Sequence, residues 1–256
     1  MNKLLFTAIL VLTITSIESF SQSSQVLDYL YSISGKKTLS GQHNKEPNAE
    51  PAKWTEFIHQ TTGKYPALWS GDFLFQQDNI DERWTMIREA KKQWENGAII
   101  NLMWHACPPH EGEPCAWDPG LLNAQLDDNQ WKELLTDGTT LNKNWKKRMD
   151  DIAVYLQYLE DNKVEVLFRP LHEMNQGKFW WGGRPGPGGT AQLYRIIHDY
   201  FTHSLGLSNL IWVWDMQDMS RDSEDYNPGQ TTGTCLVSTS TTGDTIFRGT
   251  TTFCPL

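Results

Sequence analysis

The stretch Ala98-Ile99-Ile100-Asn101-Leu102-Met103-Trp104 is apolar at every position but one, and His105 follows it at once. Seven residues is an ordinary length for a β-strand. Nearly continuous apolar character is typical of a strand that is buried on both faces of a parallel sheet. We therefore expect a central parallel strand with a polar residue at its end.

Short apolar runs alternate with amphipathic stretches on both sides of this strand. Strands are predicted at residues 37–41, 66–70, 164–168 and 209–214, and helices at residues 51–62, 82–96, 142–162 and 190–202. Strands that alternate with helices predict repeated βα units and a parallel sheet. Doubly wound sheets and (β/α)8 barrels share this pattern. No Gly-rich phosphate loop follows a strand, which argues against a nucleotide-binding sheet.

Polar and aromatic side chains gather just after the predicted strands, and this favours the barrel. They are Gln42, His43, Asn44, Asp72, Phe73, His105, His172, Glu173 and Asp215. A barrel keeps its active site at the C-terminal ends of its strands. The predicted fold is an α/β (β/α)8 TIM barrel, of which the chain contains about the first five βα units.

The composition limits the partners. The chain has 22 Lys and Arg against 31 Asp and Glu, a net charge of −9, and no basic patch stands out. A polyanion such as nucleic acid is therefore not an expected partner. Twelve tryptophans are present, many beside carboxylates, amides or histidines. Some should pack in the core, and the others have the flat apolar face and polar surroundings that suit a sugar ring.

Residues 1–21 have the pattern of a signal peptide. Lys3 precedes an apolar stretch, Leu4–Ile17, and Ser19-Phe20-Ser21 is a small-x-small cleavage site. The stretch is too short to span a bilayer, so no membrane anchoring is expected. The mature protein is expected to be secreted or periplasmic.

Export permits disulfide bonds. Cys107 and Cys115 bracket a short loop that a disulfide would close. A zinc site that includes His105 and His110 is the alternative. Because the spacing matches no common zinc pattern, the disulfide is favoured and no metal site is predicted.

Glu173 ends an apolar strand and is flanked by Arg169, His172 and Asn175. Cleavage of a glycosidic bond needs a carboxylic acid that stays protonated near neutral pH beside the leaving oxygen. Aromatic walls such as Phe179-Trp180-Trp181 would raise the pKa of the carboxyl group by disfavouring the anion. The alternative is a structural glutamate in an ion pair with Arg169.

The stretch Phe168-Arg169-Pro170-Leu171-His172-Glu173-Met174-Asn175, followed by Phe179-Trp180-Trp181-Gly182, closely resembles the acid/base motif of glycoside hydrolase family 26. That family consists mainly of β-mannanases, with some β-glucanases and β-1,3-xylanases. Further similar stretches are Leu39–His43, Pro66–Phe73, Met103–His105 and Ile211–Trp214. The resemblance extends from about Val26 to Gly229.

This resemblance implies a retaining (β/α)8 hydrolase of mannan or a related polysaccharide that needs no metal or organic cofactor. We expect a monomer. Glu173 matches the proton donor, the general acid/base. The expected substrate-binding residues are His105, His172, Trp104, Asn175, Phe179, Trp180, Trp181, Asp72 and Trp214. One departure is Lys178, where many members have Trp, and it leaves the exact polysaccharide open.

Retaining hydrolysis needs a second carboxyl group ~5.5 Å from the first, as nucleophile. In the family this Glu ends the seventh strand, and nothing in this chain matches it. Residues 230–256 contain ten Thr and no Glu. The predicted organisation is a signal peptide (1–21), a partial catalytic domain (22–229) and a divergent tail (230–256). An out-of-frame translation is one hypothesis for the tail, and a natural Thr-rich linker is the other.

The predicted function is therefore retaining hydrolysis of β-1,4-mannosidic bonds. Two alternatives stay open. One is a non-catalytic carbohydrate-binding remnant, which the absent nucleophile favours. The other is a β-glucan or xylan hydrolase of the same family.

Overall fold

The computed structural model describes residues 24–217, 221–229 and 236–240. The predicted signal peptide, Cys235, Cys254 and most of the tail lie outside the described residues. The helices are α1 (Gln25–Ile33), α2 (Lys53–Thr62), α3 (Gln77–Asp81), α4 (Arg83–Glu95), α5 (Asp128–Leu135), α6 (Thr140–Asp161) and α7 (Thr190–Asp199). The strands are β1 (Gly41–His43), β2 (Leu68–Asp72), β3 (Ile99–Trp104), β4 (Val166–Pro170), β5 (Leu210–Gln217) and β6 (Leu236–Ser240).

All six strands run parallel in one sheet, in the order β1-β2-β3-β4-β5-β6. A doubly wound sheet would reverse its strand order at a switch point. Strands that each pair with the next one along the chain build the wall of a barrel instead. The predicted fold class is confirmed, and β6 adds one strand to the five that were predicted.

The first strand lies later than predicted. It spans Gly41–His43 rather than residues 37–41, because Gly41 pairs with Leu68, the first residue of β2. Three helices were not predicted at all, α1, α3 and α5. The N-terminus of α5 carries a capping box, in which the side chains of Asp127 and Gln130 each bind the other residue's backbone N–H.

Side chains alternate between the two faces of each strand, so the sheet has two different cores. Inside the barrel, Ile99, Leu167, Ile211 and Val213 pack with Val26 of α1. This helix is held in place by Glu165, whose carboxylate accepts hydrogen bonds from the Ser24 hydroxyl and from the backbone N–H groups of Gln25 and Val26.

Between the sheet and the helices lies an apolar core rich in aromatic rings. We call it the aromatic layer and define it by Trp104, Trp145, Phe168, Trp180, Phe201, Trp212 and Trp214, all buried. No helix among the described residues has the length and apolar character needed to cross a bilayer.

The segment after β3 is held by covalent and ionic contacts. A disulfide joins Cys107 to Cys115, which is the predicted pairing and rules out the zinc alternative for these sulfurs. The backbone oxygen of Cys107 accepts a hydrogen bond from Arg148 (2.7 Å), and Glu113 forms an ion pair with the buried Arg83 (2.8 Å). The disulfide loop is thereby anchored to α4 and α6.

Candidate active site

Glu173 lies in a tight turn directly after β4. Both Leu171 (φ 49°) and Glu173 (φ 53°) adopt the left-handed backbone region that side-chain-bearing residues rarely occupy. Such residues cost about 1–3 kcal/mol each, persist only where the surrounding contacts hold them, and are found most often at functional sites. The contacts here come from β5, where Asp215 accepts a hydrogen bond from the Glu173 backbone N–H (2.8 Å).

Asp215 also determines the electrostatics of the turn. Its buried carboxylate forms an ion pair with Arg169 (2.7 Å), so Arg169 is paired with Asp215 rather than with Glu173. The alternative of a structural Glu173–Arg169 pair is therefore wrong. Burial raises the pKa of Glu173 above its ordinary value, and the charge of Asp215 adds to this rise. The positive charges of Lys178 and Arg169 oppose it.

A second buried aspartate, Asp72, holds His105 at the end of β3. The Asp72 carboxylate lies 2.5 Å from Nδ1 of His105 and also accepts a hydrogen bond from the His105 backbone N–H (3.2 Å). Burial would raise the pKa of Asp72, but the charge and hydrogen bond of His105 together lower it below its ordinary value. On β1, Nδ1 of His43 lies 2.9 Å from the Ser70 hydroxyl.

His172 connects this histidine to the Glu173 turn. Its ring centroid is 4.4 Å from that of His105, and burial holds the pKa of His172 well below its ordinary value. At neutral pH the imidazole is therefore uncharged. Phe179 and Trp181 stack on each other (4.4 Å) behind it, and Trp181 donates a hydrogen bond to the His172 backbone oxygen (2.9 Å). Both rings are buried, so they form a wall that orients His172.

The loop that carries these rings folds back very closely on the Glu173 turn. Gly182 donates its backbone N–H to Phe179, and a Cβ atom at Gly182 would collide with the backbone oxygen of Gln176. Asn175 closes the turn from the other side. Its side-chain amide donates to the backbone oxygen of Gln217 (2.7 Å) and accepts from the Gln217 N–H (2.9 Å).

A cavity of about 450 Å³ opens beside these groups at the C-terminal ends of β1, β2 and β3. It is lined by His43, Lys45, Glu46, Asp72, Leu74, Phe75, Gln76, His105 and Trp117. Trp117 is 48% exposed and stacks on Phe75 at 5.9 Å. Glu173 does not line this cavity itself, but His105, which does, contacts His172, the neighbour of Glu173 in the chain. Among the described residues, no group of three metal-ligating side chains lies at this site.

Three predicted substrate-binding residues point away from the site. Trp104 stacks on Trp145 of α6 (5.1 Å), and Trp180 packs edge-on against the same ring (5.3 Å). Trp214 lies on the outer face of β5 and is 3% exposed. Each belongs to the aromatic layer, where no sugar can reach it, so the predictions for these three residues are wrong.

A comparison with protein families agrees with the strand-end geometry. The model of glycosyl hydrolase family 26 matches residues 17–235.

This chain belongs to glycoside hydrolase family 26.

Similar curated proteins are named as mannanases. A mannan endo-1,4-beta-mannosidase of Thermothelomyces thermophilus is 36% identical over 214 residues, which cover 80% of this chain and 41% of that protein. A mannan endo-1,4-beta-mannosidase of Bacillus subtilis (strain 168) is 32% identical over 185 residues, covering 67% and 49%. The family 26 chain thus spans less than half the length of the curated relatives it matches.

Solved structures of the family share the fold. GH26A from Muricauda sp. MAR_2010_75 has a TM-score of 0.74 and 35% identity, covering 80% of this chain and 68% of that one. Bacillus subtilis mannanase man26 has a TM-score of 0.67 and 28% identity, covering 80% and 64%.

Several residues of this family 26 site were missed from the sequence. Arg169, Asp215 and His43 were noticed near strand ends but not assigned to the site. Trp117 was not singled out, although it follows a predicted disulfide loop by two residues and an aromatic residue on such a fixed loop is a candidate platform. The partnership of Arg169 with Asp215 joins residues 46 positions apart, and the sequence contains no signal for it.

Proposed function

We propose that this chain carries the acid/base half of a retaining endo-β-1,4-mannanase, with Glu173 as proton donor. One observation carries the proposal: a half-buried carboxyl group with a raised pKa, held in a strained turn beside two histidines and an open, aromatic-lined cavity. The names of the relatives support mannan as the polysaccharide.

In the proposed chemistry, Glu173, His172 and Trp117 have different roles. Glu173 gives its proton to the leaving glycosidic oxygen, because its raised pKa keeps it protonated nearer to neutral pH. His172, buried beside Glu173, stays uncharged and so places no positive charge next to the one that develops on the sugar ring. Trp117 offers an exposed ring face for stacking against a sugar.

Neither of the two aspartates beside the Glu173 turn is suited to be the second carboxylate of the reaction. Asp72 and Asp215 are both fully buried, and each already accepts hydrogen bonds, from His105 in one case and from Arg169 and the Glu173 N–H in the other. Both carboxylates are thus already engaged by protein groups, although Asp72 also lines the cavity. This observation favours the second candidate function, a carbohydrate-binding protein without turnover.

Turnover and binding are separated by one paired experiment. The chain is incubated with mannohexaose, and released sugars are measured beside the affinity from isothermal titration calorimetry. Hydrolysis that falls by ~10²–10⁴-fold in Glu173→Gln, with affinity retained, supports the enzyme. Affinity without release in either protein supports the binding function. Hydrolysis that persists in Glu173→Gln contradicts the assignment of the proton donor. If the chain neither binds mannohexaose nor releases sugars from it, both proposals are wrong.

The same protein with Trp117→Ala tests the cavity. Weaker affinity for mannohexaose is expected, because the exposed stacking face is lost, whereas Trp84→Ala is the matched control. Trp84 is also a partly exposed tryptophan (36%), but it packs against Tyr155 between α4 and α6. We further propose that the protein acts as a monomer and that it does so outside the cytoplasm, a location that the signal peptide pattern and the disulfide support.

A further inference from the structure

Three potential metal ligands meet at the C-terminal end of α7. His198 and Asp199 are the last two residues of that helix, and His203 lies in the π-helical turn Tyr200–Ser204 that follows it. Helices of a barrel run antiparallel to its strands, so this cluster lies at the end of the barrel opposite the Glu173 turn. The proposed hydrolase does not use it.

The π turn is what brings the two histidines together. In an α-helix, residues five apart point in directions roughly 140° apart. The wider π turn, closed here by the hydrogen bond from the Leu205 N–H to the Tyr200 oxygen (2.9 Å), turns position 203 back toward position 198. Such turns are rare and occur frequently at functional sites.

The ligand atoms already lie close to the spacing of a metal site. Nδ1 of His198 is 2.9 Å and Nε2 of His203 is 3.9 Å from the same carboxylate oxygen of Asp199. The three residues offer one ligand atom each, and these atoms lie within 4.8 Å of one another. Ligands at zinc bond lengths in a tetrahedron are roughly 3.3 Å apart. Small rotations of the two exposed side chains, Asp199 and His203, would bring the three ligand atoms to this spacing.

The ring of His198 is fixed in an orientation that presents Nδ1 to the cluster. His198 is buried (1% exposed) and packs against Trp212 with ring centroids 4.9 Å apart. Its Nε2 is buried and has no hydrogen-bond partner among the described residues. When a metal binds Nδ1, the ring proton moves to Nε2, inside an aromatic environment that accepts N–H groups weakly.

Electrostatics favours a cation at this position. Within the described part of the chain, the ion-pair partners of Asp199 are the two histidines, so no Lys or Arg competes for its carboxylate. The C-terminal end of a helix carries a partial negative charge that also attracts cations. Two imidazoles with one carboxylate select zinc and its neighbours over magnesium and calcium, which prefer all-oxygen sites.

We propose that His198, Asp199 and His203 form a zinc-binding site with a water in the fourth position. The ion would tie the end of α7 to the turn that follows it, and so stabilise the fold at the base of the barrel.

The test is zinc binding by the purified chain, measured by isothermal titration calorimetry. Thermal unfolding is then measured in the presence of ZnCl2, MgCl2 or CaCl2. One zinc per chain and a Tm raised by several degrees at saturation are expected, with no effect of magnesium or calcium. His203→Ala should weaken zinc binding by more than tenfold, since even loss of a group that only supports a ligand costs about 10–100-fold. His203 is exposed, so this variant should fold, and His203→Gln provides a second version.

The matched control is His110→Ala. His110 is another surface histidine with one carboxylate neighbour, Glu111 at 3.6 Å, but it has no third ligand. Zinc affinity that is unchanged in His110→Ala and lost in His203→Ala supports the site. The proposal is overturned if no zinc binds at 1 mM, if His203→Ala binds as tightly as the unaltered chain, or if His105→Ala rather than His203→Ala abolishes binding.

Discussion

Trp104 and His105 are adjacent in the chain and have opposite roles. The Trp104 side chain points outward and stacks on Trp145, whereas His105 points inward and binds Asp72. Trp214 and Asp215 repeat the contrast on β5. The inward set, which we call the mouth network (Asp72, His105, Arg169, Glu173 and Asp215), consists of ionisable groups held by hydrogen bonds. The aromatic layer consists of packed rings. Adjacent residues of one strand therefore have different roles, one in the proposed chemistry and the next in the packing of the fold.

The largest effect on stability is expected from the aromatic layer. Trp104→Ala should lower the free energy of unfolding by about 3–5 kcal/mol, because it empties a fully buried site stacked on Trp145. Chemical denaturation measures this. Trp117→Ala should change the same quantity by less than about 0.5 kcal/mol, as a half-exposed ring does. Equal losses in the two variants would break the distinction between a packed ring of the aromatic layer and an exposed ring at the cavity.

Within the mouth network, the largest effect is expected from Asp215→Asn. The change leaves the Arg169 guanidinium without its carboxylate partner, and removal of one partner of a buried pair costs about 3–5 kcal/mol. The double variant Asp215→Asn/Arg169→Met should recover part of that loss, because no unpaired charge remains. Additive losses in a double-mutant cycle would show that the two side chains do not act as a pair.

The disulfide loop connects the mouth network to the cavity, because it follows His105 and precedes Trp117. Cys107→Ser/Cys115→Ser should cost about 2–3 kcal/mol of unfolding free energy, as expected for a short closed loop. Affinity for mannohexaose should fall as well, since Trp117 is less well positioned. A variant with unchanged stability and affinity would mean that Arg83 and Arg148 hold the loop without the covalent bond.

The smallest effect is a pH-dependent gain in stability in Glu173→Gln. The raised pKa means that the folded protein keeps the Glu173 proton over a pH range in which the unfolded chain has lost it. Stability therefore falls as pH rises from the ordinary value of 4.5 through the raised pKa, and the full cost remains above it. The variant lacks this cost. Its free energy of unfolding should therefore equal that of the unaltered chain at pH 4 and exceed it at pH 7. Solvent screening of the half-exposed group limits the gain to under about 1 kcal/mol.

The reverse sign would contradict the electrostatics of the turn. If Glu173→Gln is less stable than the unaltered chain at pH 7, the carboxylate is stabilised by the fold, and burial and Asp215 do not control its pKa.

Much of the fold could be predicted because it depends on local patterns. The apolar run of β3 and the polar residues after it were sufficient to predict a barrel with its site at the strand ends. The alternation of side chains along a strand can also be read from the sequence. It places Trp104 and Trp214 on the face of the sheet opposite His105 and Asp215. The prediction for these two tryptophans is wrong because residues that are adjacent in a strand point to opposite faces of the sheet.

Other features depend on contacts between distant residues. The position of β1 follows from its register with β2, and the N-terminus of α1 is held by Glu165, 140 residues away, in addition to its N-cap Ser24. The fully buried state of Asp215 and its pairing with Arg169 likewise become visible only when β4 and β5 are adjacent.

Gly182 would be recovered almost without exception in a library of functional variants, although it carries no side chain to touch a sugar. The close approach of the Gln176 carbonyl oxygen leaves no room for even the methyl group of alanine. Sequence tolerance around the proposed proton donor is thus set by the loop's own backbone as well as by the ligand. Attempts to redesign substrate preference there should vary Lys178, an exposed position, and keep the glycine fixed.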